Sequence, residues 1–294
     1  MADAANHRLN LWAARASVTV AVSLILLKIW ALWMTGALSV MASLADSSLD
    51  LVMSTGAMLA LAYAARPPDE DHAFGHTSAE DLTALAQAVV LVIAAVLLIA
   101  SAVERFFGAA HDGLASEGVG IIAMAISMGM TAALVAFQGH VARKTKNRVV
   151  SADRLHYLAD LVPQLGAIVA LLASRLWGIW QIDALVALLA AAVLARGALS
   201  IGKGAWDALM DRRADPEVLA GIAAIADDFP GVLGWHDLKT RTAGSKIFVN
   251  LHIELDGDQS LREAHAIGAD LRQAILRAYP QTDVMIHKDV IRET

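Results

Sequence analysis

The sequence predicts a membrane protein: an all-α six-helix transmembrane bundle followed by a cytoplasmic α+β domain of order α-β-β-α-β. Three observations carry that expectation. Hydrophobic residues make up 57% of the 294 and charged ones only 18%, with a mean hydropathy of +0.55, where a soluble domain has roughly 45–50% apolar and about 25% charged residues. The charges are unevenly placed, because residues 1–201 hold 12 basic and 14 acidic side chains while the shorter stretch 202–294 holds 11 and 15. Two domains follow, 1–201 in the membrane and 202–294 as a soluble unit of about the minimum size for its own core. Cysteine is absent and the net charge is −6. Disulfides, thiolate nucleophiles and Cys-ligated metal are thereby excluded, a nucleic-acid partner held on a broad basic surface is disfavoured, and any metal falls to His, Asp and Glu.

Six stretches reach the roughly 20 apolar residues that cross about 30 Å of hydrocarbon as helix: 12–33, 38–64, 82–103, 117–140, 151–174 and 179–200. The first begins after Arg8, contains Lys28 and has no A-x-A cleavage site ahead of it, so it is expected to be retained rather than removed. Arg143, Lys144, Lys146 and Arg148 crowd the connection after the fourth span, Arg66 follows the second and Arg8 precedes the first, whereas the opposite side holds Arg105 and Arg175. The positive-inside rule places both termini and those two connections in the cytoplasm, and Trp30, Trp33, Trp177 and Trp180 then form an outer aromatic belt.

Ionisable residues inside spans are expensive and mark function. The second span carries Asp46 and Asp50 at i and i+4, one helical turn apart on a single face, and the fifth repeats the spacing with His156 and Asp160. Two such pairs can close a four-coordinate site of three carboxylates and one imidazole, a set that Zn²⁺ accepts. Without a cation, adjacent aspartates in hydrocarbon repel and at least one is protonated. Pairing of Asp46 and Asp50 with Lys28, or with Arg residues near helix ends, is the structural alternative, but three acids and a histidine outnumber the one lysine. Lys28 itself reads as a snorkelling or locally paired side chain. Pro163, three residues after Asp160, can bend the fifth helix beside the site.

After the second span the chain reads Arg66-Pro-Pro-Asp69-Glu-Asp71-His72-Ala-Phe-Gly-His76. Two histidines four apart among acids make this loop a second candidate cation site, with a solvated polar loop as the plainer reading. In the C-terminal domain, Asp215-Pro216-Glu217 opens an amphipathic helix to about Phe229. A strand near 232–242, a turn at Ala243-Gly244-Ser245 and a half-buried strand follow, the last marked by strict alternation of Ile247, Val249, Leu251, Ile253 and Leu255. Ser260 and Glu263 form a capping box for a helix to about Ala278 that ends before Pro280, and a strand near 283–291 completes two helices over one face of a three-stranded sheet. His236, His252, His265, His287 and Asp289 spread over the three strands and the second helix, where they can either converge on ions at an edge or dimer interface or remain solvated. His7, His111 and His140 receive no role.

Asp46-x3-Asp50, Asp69-Glu-Asp-His72-Ala-Phe-Gly-His76, His156-x3-Asp160, six spans and the α-β-β-α-β tail together resemble the cation diffusion facilitator family, in particular its bacterial YiiP-type zinc and ferrous-iron efflux branch. The resemblance covers nearly the whole chain. It implies that Asp46, Asp50, His156 and Asp160 form the transport site, that Asp69, His72 and His76 form a loop site, and that His236, His252, His265, His287 and Asp289 form a binuclear cytoplasmic site. It also implies a homodimer whose metallochaperone-like tails associate. Relatives of this branch carry a lysine after the loop site that locks the dimer, whereas this chain has Thr77-Ser78, so its dimer contacts are expected to rest more on the tail.

The expected activity is a multi-pass exporter of the cell (inner) membrane that exchanges a divalent cation for protons by alternating access; it is not an enzyme and has no organic cofactor. Metal ligation needs neutral His and ionised Asp, so binding releases protons and protonation releases metal. His156 is the principal candidate for the exchanged proton, shared with Asp50 or Asp160. An imidazole among carboxylates favours Zn²⁺ or Cd²⁺ over Mg²⁺ or Ca²⁺ and also admits Fe²⁺, Co²⁺ and Ni²⁺, with Zn²⁺ both cargo and regulatory ligand of the tail. Two rival classes are a non-transporting metal receptor or scaffold, which has no need of the intramembrane tetrad, and a membrane-embedded metal-dependent hydrolase. The hydrolase lacks a His-Glu-x-x-His helix, and Glu80, Glu104 and Glu117 lie at span ends.

Overall fold

The computed structural model describes residues 2–35, 38–107, 118–161 and 181–291. Among the described residues the N-terminal part has six helices: α1 Ala2–Thr35, α2 Leu38–Ala64, α3 Ser78–Phe107, α4 Gly118–Thr145, α5 over 148–161 and α6 Gln181–Leu209. The second half of the expected fifth span, with Pro163, lies outside the described residues. So do Trp177, Trp180, Arg175, His111 and Glu117.

Several helices outrun their apolar stretches. The first turn of α3, starting at Ser78, carries Glu80 and Asp81, the last turn of α4 carries Arg143 and Lys144, and α6 continues to Leu209. Hydrocarbon thickness limits the apolar run, not the helix, and acids at an N-terminus and bases at a C-terminus complement the macrodipole. Between α4 and α5 Lys146 takes a positive φ of 54°, and the Asn147 side chain caps α5 by accepting from the Val150 N–H at 3.1 Å.

Small side chains let these helices approach closely. Ala13, Ala14, Ala57, Ala84 and Ala205 pack with Leu61, Val141, Val149 and Val150 in one buried cluster. A second joins Leu91, Ala95, Leu194 and Ala198 to Leu155 and Ala159 of α5. Outward, Ile93, Val96, Leu97, Val193 and Leu199 are exposed, as lipid contact requires. Among the described residues, three helices are long and apolar enough to cross a membrane: Asn6–Met34, Ser78–Ala100 and Ala125–Thr145. Trp30 and Trp33 are both exposed near the end of α1.

The C-terminal part is α7 Pro216–Asp227, β1 Gly234–Ala243, β2 Lys246–Leu255, α8 Leu261–Ala278 and β3 Thr282–Val290. The strand order is β1-β2-β3, with β1 and β2 antiparallel and β2 and β3 parallel. A parallel neighbour needs a crossover, which α8 supplies. The aliphatic row predicted on β2 is the core: Val249, Leu251, Ile253 and Leu255 bury against Ile222 and Ala226 of α7 and Leu271 and Ile275 of α8. The Ser260–Glu263 capping box forms in both directions, whereas Asp215 sits at the N-cap of α7 without a side-chain hydrogen bond. Pro216 already supplies the helical φ and removes one of the orphan donors of the first turn, and the Val218 N–H donates to the Asp215 backbone carbonyl at 2.9 Å.

The two parts touch through the β1–β2 turn. The Gly244 N–H donates to Asp81 Oδ2 at 2.6 Å and Ser245 Oγ to Glu80 Oε1 at 3.2 Å. The same acids accept from Arg148 Nη1, on Asp81 at 2.5 Å, and from Asn147 Nδ2, on Glu80 at 2.8 Å. Phe248 points away from the aliphatic row yet is buried, because Phe74 of the α2–α3 loop meets it edge-on at 5.5 Å and Arg241 stacks over both rings.

Candidate metal centres

Within the bundle, α2 and α5 bring Asp50, His156 and Asp160 together, with one ligand atom from each lying within 4.8 Å of the others. The His156 Nε2 to Asp50 Oδ1 distance is 2.9 Å. Asp50 is 8% exposed, and His156 and Asp160 are half-buried. Helical spacing explains the convergence, since His156 and Asp160 rise one turn apart along α5 toward the face where α2 presents Asp50. Asp46 lies one turn earlier on α2, and its side chain is outside the described residues. Lys28 Nζ donates to Ser47 Oγ at 2.6 Å, so this lysine reaches α2 beside the cluster. A carboxylate–imidazole–carboxylate set of this kind suits a divalent transition-metal ion.

The α2–α3 loop folds Asp69, His72 and His76 into a second group within 4.8 Å. Asp69 bridges the two histidines, with Oδ1 at 3.1 Å from His72 Nδ1 and Oδ2 at 3.1 Å from His76 Nε2. The His72 backbone N–H, helped by the two imidazoles, holds the Asp69 carboxyl below the ordinary range despite some desolvation. His76 is 4% exposed, packed edge-on against Tyr63, and its Nδ1 is buried without a hydrogen-bond partner among the described residues.

Strand register builds the third group. His236 faces His252 across the antiparallel pair and His252 faces His287 across the parallel pair, so three imidazoles stand in a row on the sheet face opposite the core. Asp289 collects them: Oδ2 lies 2.9 Å from His252 Nδ1 and 3.3 Å from His236 Nε2, and Oδ1 lies 3.2 Å from His287 Nε2. The His252 hydrogen bond, then the nearby imidazoles, keep the Asp289 carboxyl below its usual range. A break in the β1–β2 register after His236 coincides with Asp237 at φ 52°, a bulge that re-aims the neighbouring side chain. His265 is exposed on α8, the helix that covers the opposite face, and the described group comprises His236, His252 and Asp289, with His287 joined through Asp289.

Some polar structure carried no assignment from the sequence. Asp153, three residues before His156, accepts from Ser17 Oγ at 2.6 Å, Gln138 Nε2 at 2.7 Å and Ser54 Oγ at 3.2 Å. Tyr157 OH joins at 2.9 Å from Ser54 Oγ. The signal available was the carboxylate itself inside an apolar span. Its partners are Ser, Gln and Tyr on distant stretches, with no common spacing to find.

The chain matches a family model described as the cation efflux transmembrane domain over residues 14–210 and one described as the cation efflux protein cytoplasmic domain over 214–290. It is 38% identical over 277 residues to the cation-efflux pump FieF of Klebsiella pneumoniae subsp. pneumoniae, covering 94% of this chain and 91% of that protein. Against FieF of Cronobacter sakazakii it is 38% identical over 287 residues, covering 97% and 95%. Among solved structures, a chain of CzrB is 32% identical over 27% of this chain and 99% of its own, with a TM-score of 0.26. With both parts matched and relatives aligned almost end to end, this membrane protein belongs to the cation diffusion facilitator family.

Proposed function

We propose that the chain exports Zn²⁺, with Cd²⁺ and Fe²⁺ as further cargo, from the cytoplasm in exchange for protons. One observation carries the reading: Asp50, His156 and Asp160 offer ligand atoms within 4.8 Å of one another where α2 and α5 meet, and Asp46 lies one turn away from Asp50 on α2. Ionisable side chains inside spans are costly and mark ion and proton pathways.

The cation enters the cluster from the cytoplasmic side and displaces its protons. Outward opening of the bundle then exposes the loaded cluster, and protons from outside compete the metal off. His156 carries the principal proton because imidazole titrates near physiological pH, with Asp50 or Asp160 sharing it. The tail group of His236, His252, His287 and Asp289 would hold regulatory Zn²⁺, without His265 on the opposite face, and Asp69, His72 and His76 would hold a loop ion. The protein works as a homodimer in the inner membrane with both termini cytoplasmic.

The test is a zinc-dye assay in proteoliposomes under a pH gradient. Flux that follows the gradient and vanishes in Asp50→Ala supports the reading; no flux for Zn²⁺, Cd²⁺, Fe²⁺ or Mn²⁺ would sink it.

A further inference from the structure

Among the described residues two links join α2 to α5, one turn apart, and one of them is made of groups that are not metal ligands. Asp50 meets His156 at 2.9 Å. One turn further along α2, Ser54 meets Asp153 at 3.2 Å and Tyr157 at 2.9 Å. The second link extends to the rest of the bundle, because Asp153 Oδ2 also accepts from Ser17 of α1 and Gln138 of α4, and Tyr157 OH also reaches the Ser17 carbonyl at 3.3 Å. Ser17, Ser54 and Gln138 are fully buried, and Asp153 and Tyr157 nearly so. The space beside the carboxylate, bounded by Ala13, Ala57, Leu61 and Val149, has no room for a water molecule.

We infer that Asp153 is a positioning residue for the bundle cluster: its hydrogen bonds to Ser17, Ser54 and Gln138 hold α5 against α1, α2 and α4 whether or not a cation is bound. The inference rests on the proposed transport only for its consequence, that ligand geometry limits cargo binding. During exchange the cluster loses the ion that unites its acids and takes up protons instead, so its own contacts between α2 and α5 change. The Asp153 knot contains one carboxylate and neutral donors and includes no cargo ligand. Without water to substitute, breaking one bond leaves a buried group unpaired, which makes the arrangement single-valued. His156 sits three residues along the same helix and inherits its height and rotation from that anchor.

Groups hydrogen-bonded directly to metal ligands cost about 10- to 100-fold in affinity when removed, and a support one step further back is expected at the lower end of that range. The test compares full-length wild type, Asp153→Asn, Ser54→Ala and the swap Asp153→Asn/Gln138→Glu, each reconstituted for zinc flux. Each is also titrated with Zn²⁺ in a His72→Ala, His252→Ala, His287→Ala background that isolates the bundle cluster. Asp153→Asn is expected to raise KM and the cluster Kd about tenfold with little change in maximal rate. Ser54→Ala, a small excision that spares the rest of the knot, shifts both the same way by less. The swap returns amide and carboxylate to opposite ends of the α4–α5 contact and restores both constants toward wild type. Unchanged Kd and KM in folded Asp153→Asn and Ser54→Ala, or a fall in maximal rate alone, overturns the inference. Absent wild-type flux with a weakened Kd in Asp153→Asn overturns the transport reading and leaves the positioning role standing.

Discussion

His156 Nε2 lies 2.9 Å from Asp50 Oδ1, across the contact between α5 and α2. The same two atoms can share a proton or bind one cation, but not both, and that exclusivity is the physical content of exchange. Raising cytoplasmic acidity from pH 7.5 to pH 6 across the imidazole range should therefore weaken zinc uptake by about fourfold. Asp50→Asn removes the anionic partner, so it should flatten that pH dependence as well as abolish most flux. Zinc-dye flux at several internal and external pH values checks both statements, and a pH profile unchanged in Asp50→Asn contradicts them.

The tail row makes a separate prediction. His236, His252 and His287 are in register on three adjacent strands and share Asp289. His252→Ala takes out the middle imidazole, and His287→Ala its neighbour. The double variant should keep transport while losing the dependence of its rate on cytoplasmic zinc, and the tail should gain no hydrogen-exchange protection on zinc addition. A dependence unchanged from wild type would defeat the sensing role.

The ligand pairs were legible because helix and strand periods convert spacing directly into proximity. Asp50, His156 and Asp160 meet through the 3.6-residue repeat, and His252 with Glu254 faces away from Val249 and Leu251 through the two-residue repeat. The capping box at Ser260 and Glu263 was legible for the same local reason. What was not legible depends on which distant stretches pack together. Asp153 finds Ser17, Ser54 and Gln138 only after four helices associate. Phe248 breaks the alternation on β2 because Phe74, from another domain, covers it. His265 follows the α8 amphipathic pattern to an exposed position, away from the strand histidines that share its residue type.

The capping box supplies a stability test outside the membrane. Hydrogen bonds from the Ser260 hydroxyl and backbone N–H to the Glu263 carboxylate hold that carboxyl below the ordinary glutamate range. A carboxyl whose folded-state pKa is depressed contributes stability that is present above its unfolded value of about 4.3 and lost as pH falls through the lower folded value. Protection of the first turn of α8 should thus be constant from pH 8 to pH 5 and decline below about pH 4. Ser260→Ala should cost about 1 kcal/mol locally at neutral pH and remove the acid-dependent part. Hydrogen exchange of residues 261–265 in the full chain reads both effects; protection equal to wild type at neutral pH would refute the cap.

The last prediction concerns the contact between the two parts of the chain. Gly244 has φ 56°, a left-handed conformation costing other residues roughly 1–2 kcal/mol. A Cβ built there would stand 2.3 Å from the Thr77 carbonyl oxygen, which is backbone at the start of α3 and has little freedom to yield. Gly244→Ala must therefore withdraw the turn from α3, breaking the Gly244 N–H bond to Asp81 and the Ser245 bond to Glu80. Asp81 keeps Arg148 and Glu80 keeps Asn147, so α3 and α5 stay joined while the tail is released. The expected result is faster hydrogen exchange at 243–246 with unchanged exchange at 148–152. Ser245→Ala, which removes one hydroxyl contact and adds no bulk, should produce a smaller loss at the same turn. Equal protection in Gly244→Ala and wild type would mean that the turn does not bear on α3 in the membrane-embedded protein.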